Sequence, residues 1–281
     1  MKHFRRVAIV GVGLIGGSIG LALRRRGLIE TVVGIGRRQS SLRTARRVGS
    51  VTSTTIDLSK GVVGADLVVV CSPVGKIVEH VGEAAKSCPE GTLITDVGSA
   101  KQAIVDALDG QLPRGCRFLG SHPLAGSEKT GAANASADLF DGRVVILTPT
   151  KNTLAEDFDL LEGFWSALGS VVIQMPADEH DRALALTSHL PHVVAAMLAA
   201  LVPEPYFRLS SAGLLDTTRI AASDPELWKQ ILVQNRANVL AALRSLERQL
   251  AALRSALEQG DELALQRLLA AGKKARDALG S

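Results

Sequence analysis

The chain has 281 residues, 46% apolar and only 3% aromatic, with 32 Lys+Arg against 28 Asp+Glu and a formal net charge of +4. That composition excludes a disordered, collagen-like or disulfide-stapled chain, and the length suits one large domain or two smaller ones. The basic excess is local: residues 1–60 hold twelve Lys+Arg against Glu30 and Asp57, while the rest of the chain carries more acids than bases. Cys71, Cys88 and Cys116 have no CxxC spacing, which argues against a disulfide framework or a metal site and fits a reducing cytoplasm.

The first element is an apolar run, Val7–Val10, read as a strand, followed by a helix over Leu14–Arg26. Basic residues ahead of this charge-free run imitate a secretory signal. However, Gly11, Gly13, Gly16, Gly17 and Gly20 weaken such a helix, and the run ends in Arg24-Arg25-Arg26 rather than in a cleavage site. Next come a strand at Thr31–Ile35, a helix at Ser41–Val48, a strand at Leu67–Cys71, a helix near Ile77–Lys86 and a strand at Leu93–Asp96. Phe118–Ser121, Val144–Leu147 and Val171–Ile173 extend the series. The expected fold is α/β, a doubly wound and largely parallel sheet with helices on both faces, over residues 1–174.

From about Met175 the chain is Ala/Leu-rich and shows no strand pattern, so residues 175–281 are expected to be all-helical. Val193–Val202 is too short to span a bilayer and reads as a buried helix. Asp224-Pro225-Glu226 is a helix start, and that helix is expected to run to about Glu258. Within it Val239, Leu243, Leu246, Leu250, Leu253 and Leu257 keep one seam apolar, which favours packing against a second subunit. Gly260 and Gly272 are read as punctuating the final helices.

Between the first strand and helix stands Gly11-Val12-Gly13-Leu14-Ile15-Gly16, a GxGxxG turn. In a dinucleotide site Gly11 permits the tight turn, Gly13 admits the pyrophosphate and Gly16 lets helix and strand pack closely. Leu14 and Ile15 open the helix that binds the phosphates. Ser72 and Asp96, at the ends of two later strands, complete the candidate cofactor set. An NAD site usually has an acid at the end of the second strand, but no Asp or Glu occurs from Thr31 to Ile56. Gly36-Arg37-Arg38-Gln39-Ser40-Ser41 stands there instead, and Arg37 and Arg38 suit a 2′-phosphate, so NADP is expected in preference to NAD.

Polar segments also follow later strands: Asp96-Val97-Gly98-Ser99-Ala100-Lys101 and Gly120-Ser121-His122-Pro123-Leu124-Ala125-Gly126-Ser127-Glu128. A histidine in a Gly/Ser/Pro loop at a sheet end, with Ser99, Ser127 and Glu128 in equivalent positions, points to a site. Lys101 reads equally well as part of it or as a solvated helix-start residue. A third segment, Ser188-His189-Leu190-Pro191-His192, lies in the helical half. The basic N-terminal region comes with no aromatic-interleaved groove or helix-turn-helix, so nucleic acid is not expected as a partner, nor is a membrane.

With Gly13–Ser18, Asp96–Lys101, Gly120–Glu128, Ser188–His192 and Asp216–Trp228, the chain resembles the prephenate/arogenate dehydrogenases of tyrosine biosynthesis. The motifs occur in that family's order and cover most of the chain, although Leu124 replaces a common methionine. The resemblance implies a Rossmann domain followed by an all-helical dimerisation domain. It also implies oxidative decarboxylation of prephenate or arogenate with hydride transfer to NAD(P). On that basis His122 is the expected base, and Ser99 would hydrogen-bond the reacting hydroxyl or orient His122. Arg219 would clamp a substrate carboxylate, His192 and His189 would line the pocket, Ser127 and Glu128 would contact the substrate side chain or gate the pocket, and Trp228 would wall the site or equally belong to the core. A β-hydroxyacid dehydrogenase or imine reductase is the nearest alternative, but the lysine expected in its helical half is missing before Lys229. A non-catalytic NAD(P) sensor is the other. No single residue separates prephenate from arogenate.

Overall fold

The computed structural model describes residues 4–126 and 129–280. In its first part strands and helices alternate as β1 (Arg6–Val10), α1 (Leu14–Arg25), β2 (Thr31–Ile35), α2 (Gln39–Arg47), β3 (Ser53–Thr55) and α3 (Leu58–Gly61). They continue with β4 (Leu67–Val70), α4 (Ile77–Ala85), β5 (Leu93–Asp96), α5 (Gln102–Leu108) and β6 (Arg117–Phe118). The six strands stand in the order β3-β2-β1-β4-β5-β6, with every pairing parallel. Both faces are covered, as the near-continuous apolar strands require. Alternate residues of one strand go to opposite sides: Ala8 and Val10 join the cluster under α4 and α5, while Val7 and Ile9 join the one holding Ile19, Phe164 and Trp165. The strand order reverses between β1 and β4, which is where a sheet of this kind opens a crevice for a ligand.

Phe118–Ser121 was expected as one strand of the same sheet, and the structure divides it. After β6 the chain leaves for a second, three-stranded sheet made of β7 (Gly120–Pro123), β8 (Val144–Thr148) and β9 (Val171–Gln174), with α6 (Ala155–Ala167) between β8 and β9. The β7–β8 pair is antiparallel and β8–β9 parallel. The break has a local cause. Ser121 Oγ donates to the Asp96 carbonyl at 2.6 Å, and Ser121 N–H donates to the Asp96 carboxylate at 3.3 Å, so side-chain bonds replace the ladder at this corner. The short edge strand β3 has no apolar alternation and gave no sequence signal.

The helical part comprises α7 (Ala177–Leu184), a π turn (Ala185–His189), α8 (Leu190–Leu201), α9 (Ala212–Thr218), a 3-10 turn (Arg219–Ala222), α10 (Pro225–Gln234), α11 (Arg236–Gln259) and α12 (Glu262–Ala278). Pro191 has no N–H to offer the preceding turn, and the π turn absorbs that break. The helix expected from Asp224 to about Glu258 is in fact two helices. Asn235 separates them because its buried amide is taken by the Asp181 carbonyl at 2.7 Å and His189 Nδ1 at 3.1 Å. Asp224 caps α10 through Glu226 N–H. Gly260, with φ of +66°, ends α11, whereas Gly272 lies inside α12.

Two compact units result, Met1–Asn235 and Arg236–Ser281. Within the first unit, Ala177 and Ile231 join the core beneath β4 and β5. In α8 only His192 and Ala195 are buried, so the expectation of a buried helix is corrected; Met197 and Leu201 are exposed. The stretch Ala177–Leu201 is long and apolar enough by composition to cross a bilayer, with mean hydropathy 1.6 over eighteen residues. Yet His180, Asp181, His189 and His192 within it are buried among other groups of the protein. In the second unit, α11 and α12 pack on each other and leave Leu250 and Leu257 of the apolar seam exposed.

Candidate active site

The glycine turn lies at the crevice between β1 and β4. Gly11 has φ of +96°, and a Cβ there would meet the Cys71 carbonyl at 2.7 Å. A Cβ on Gly16 would overlap the Gly11 carbonyl, whereas one on Gly13 would meet nothing within 4 Å. The first and third glycines therefore serve the protein's own packing, and the second leaves open space in front of the helix. The first turn of α1, with Leu14 and Ile15, has no side-chain cap, so its N–H groups are available to an anion. These residues fit a dinucleotide pyrophosphate. Gly13→Ala is expected to raise the cofactor Kd at least about tenfold with Tm unchanged. Gly16→Ala is expected to cost about 1–3 kcal/mol of stability through overpacking. Cofactor titration and thermal melting of both variants check the pair.

Arg37 and Arg38 follow β2 and are exposed, and Arg38 begins α2 with no side-chain cap. Ser72, at the end of β4, shares a hydrogen bond of 2.6 Å with His80 Nδ1. The expected cofactor role of Asp96 is corrected. Its carboxylate is fully buried and is engaged by Lys101 Nζ, by Gly98 N–H at 2.8 Å and by Ser121 N–H. Lys101 is equally buried and also donates to the Ser121 carbonyl at 3.0 Å, so the solvated reading of this lysine is excluded. The ion pair thereby braces β7 one residue before His122.

His122 is 8% exposed. Its Nδ1 lies 2.8 Å from His180 Nε2, and His180 Nδ1 lies 2.8 Å from Asp181 Oδ1. Asp181 Oδ1 also accepts from Lys101 N–H at 2.8 Å and Oδ2 from Gln102 N–H at 3.1 Å. Burial pushes the Asp181 carboxyl up, but these hydrogen bonds outweigh it and hold the group below its ordinary range. An ionised Asp181 only accepts, so His180 carries its proton on Nδ1 and offers the Nε2 lone pair. His122 must then carry its proton on Nδ1, which leaves Nε2 as the free basic atom. Burial, and next His180, Lys101 and His189, depress the His122 imidazole well below its ordinary value, so it is neutral near pH 7. His180, not Ser99, orients His122. The backbone of Ser99 lies beside His189.

Three further expected residues meet on the helical side. His192 stacks on Trp228 with ring centroids 3.5 Å apart and planes 8° apart, and His189 meets the same indole edge-on at 6.1 Å. Burial lowers His192 and brings His189 down to about 4. Asn235 donates to His189 Nδ1, so that ring carries its proton on Nε2. Among the described residues His189 Nε2 and His192 Nδ1 are buried without a hydrogen-bond partner. Such polar atoms are costly unless a ligand or water satisfies them. Arg219 is exposed, on the 3-10 turn that packs against α8. Ser127 and Glu128 lie outside the described residues.

The site therefore combines a phosphate-binding turn, a neutral histidine with one free nitrogen and a partly unsatisfied imidazole–indole cluster. Sequence reasoning missed His180, Asp181 and Asn235. The dipeptide His180-Asp181 sits in a charged helical stretch and reads as a solvated face.

Comparison with known proteins identifies the family. The family described as "Prephenate dehydrogenase, nucleotide-binding domain" matches residues 19–174, and "Prephenate dehydrogenase, dimerization domain" matches 176–271. The chain is 34% identical to a prephenate dehydrogenase of Bacillus subtilis, over 97% of this chain and 76% of that one. It is also 34% identical to a cyclohexadienyl dehydrogenase of Zymomonas mobilis, over 99% and 97%. Among solved structures, a prephenate dehydrogenase of A. aeolicus in complex with hydroxyphenyl propionate and NAD+ superposes with a TM-score of 0.90 at 33% identity, covering 98% of each chain.

Proposed function

Because the chain belongs to the prephenate dehydrogenase family, we propose that His122 is its general base, that NADP is its preferred cofactor and that it works as a cytoplasmic homodimer. The chain is an oxidoreductase that carries out oxidative decarboxylation of prephenate or arogenate with a pyridine nucleotide. The observation that carries the base assignment is the buried, neutral His122 with its Nε2 free.

The substrate ring bears a hydroxyl on the carbon that loses hydride. When bound, the nicotinamide supplies the hydride acceptor. His122 Nε2 takes the hydroxyl proton, which lets the oxygen's electrons form the carbonyl as hydride departs. The ring ketone then draws the electrons of the bond to the ring carboxylate, CO2 leaves and the ring becomes aromatic. His192 and Trp228, stacked on each other, offer a flat wall for that ring. Arg219 supplies a guanidinium for a substrate carboxylate, and bidentate pairing would fix the ring's orientation. Ser99, beside His189, is assigned to the same hydroxyl as His122.

NADP preference rests on Arg37 and Arg38 at the uncapped start of α2 and on the missing acid after β2. The homodimer rests on the match to a dimerization domain and on the exposed Leu250 and Leu257 of α11. The cytoplasm rests on three free thiols. Absorbance at 340 nm with prephenate or arogenate, each with NADP and NAD, tests the reading. Turnover is expected, with kcat/KM larger for NADP. Arg37→Ala should cut the NADP value about tenfold or more, as loss of a charge-assisted phosphate contact does, and leave the NAD value unchanged. A wild-type preference for NAD would overturn the cofactor assignment, and no turnover with either substrate would overturn the assigned reaction.

A further inference from the structure

We propose that His180 and Asp181 form a closed proton store: the proton that His122 takes from the substrate hydroxyl is held on the His122–His180 pair and returned to the product's oxygen. The inference rests on His122 being the base. It starts from the balance of the reaction. The ring carbon loses hydride to the nicotinamide and its hydroxyl loses a proton, giving a ketone. The bond to the ring carboxylate then breaks, its electron pair passes through the ring to that oxygen, and CO2 leaves a phenolate. The phenolate takes up one proton to become the phenol. One proton leaves the oxygen and one returns to it, so the turnover needs no exchange with water.

The geometry suits storage better than release. His180 is wholly buried, and Asp181 is nearly so. The 2.8 Å contacts His122 Nδ1–His180 Nε2 and His180 Nδ1–Asp181 Oδ1 let a proton gained at His122 Nε2 be matched by transfer of the Nδ1 proton to His180. The groups facing this pair set its direction. Lys101, from the loop before α5 and itself paired with Asp96, faces His122 and disfavours a cation there, whereas His189 from the π turn faces it as a neutral ring. Asp181 faces His180, with its Oδ1 2.8 Å from His180 Nδ1. Asp181 is locked by the N–H groups of Lys101 and Gln102 and by Asn235 on its carbonyl, so it does not rotate away. A positive charge formed at the substrate therefore moves one imidazole inward, away from Lys101 and toward a fixed anion.

His180 and Asp181 act through His122 and are positioning residues, so their test needs more than lost activity. In the cofactor-free protein labelled with 15N-histidine, NMR should show both His122 and His180 protonated at Nδ1. Another tautomer at either ring would overturn the chain. His180→Gln keeps an acceptor for His122 Nδ1–H but takes no proton. It should lower kcat about 10–100-fold with KM and cofactor affinity near wild type. Asp181→Asn should move the acid limb of kcat/KM to lower pH by about one unit, because the imidazolium loses its anion. A His180→Gln enzyme with kcat within twofold of wild type, or an Asp181→Asn enzyme with an unmoved acid limb, would overturn the store. A merely structural role would change Tm and KM and leave that limb in place. The base assignment fails separately, if His122→Asn retains turnover.

Discussion

His122→Asn is expected to lower kcat about 10³-fold while leaving cofactor affinity within a factor of about two, because general base catalysis by a positioned side chain contributes about 10²–10⁴-fold. Asparagine is smaller than histidine but keeps a polar group toward His180, so the β7 strand and its pairing with β8 should survive. What it lacks is a basic nitrogen toward the substrate. The glycine turn and the first turn of α1 are built from β1 and α1, not from β7. The effect should therefore fall on kcat, and on kcat/KM equally if His122 acts only in the transition state. Steady-state kinetics at 340 nm, together with a fluorescence titration of the cofactor, separate the two. Near-wild-type kcat would exclude His122 as the base. In the wild type the depressed imidazole should keep kcat/KM level around pH 7, with the fall on acidification beginning below the ordinary histidine range.

Lys101→Ala should be the most destabilising single change in the sheet domain. It leaves the fully buried Asp96 carboxylate with two backbone N–H partners and no cation. Breaking a buried pair from one side costs about 3–5 kcal/mol, against about 0–1 kcal/mol for an exposed pair such as Lys76–Glu79. For a protein of this size that corresponds to a Tm loss of roughly 10 °C. The same lysine holds the Ser121 carbonyl, so residual folded enzyme should also lose kcat through movement of His122. The double variant Lys101→Met with Asp96→Asn removes both charges and should recover much of the stability, since the uncompensated charge carries most of the penalty. Calorimetry on the three proteins checks this. A single variant melting within 2 °C of wild type would show that the pair is not what holds the corner between the two sheets.

Much of the sheet domain was legible in the chain. Thr31–Ile35 and Leu93–Asp96 occur as strands with the bounds read from the sequence, because a strand buried on both faces is an unbroken β-branched run. The glycine turn was equally plain: Gly11 has the positive φ and Gly16 the close contact that their spacing implies. The elements that were misread lack a periodic signal. β3 is three residues long, and the split at Leu119 depends on Ser121 side-chain bonds that no pattern announces. The long helix from Asp224 looked continuous because an asparagine is tolerated in helices. Here it breaks one because Asp181 and His189 claim its amide.

The sequence by itself determined the architecture of the nucleotide half, the residue types available at the strand ends and the family, because those follow from local periodicity and short motifs. Only the tertiary structure decided which polar side chains work together. His122 and His180 are 58 residues apart, Lys101 and Asp181 are 80 apart, and Asn235 reaches back 54 residues to Asp181. Their meaning depends on burial, which converts Lys101 from a solvated cation into a fixed counter-ion and Asp181 from a surface acid into an anchored anion. Spacing along a chain carries hydrophobic period, but hydrogen-bond partnership and desolvation exist only once distant segments have packed.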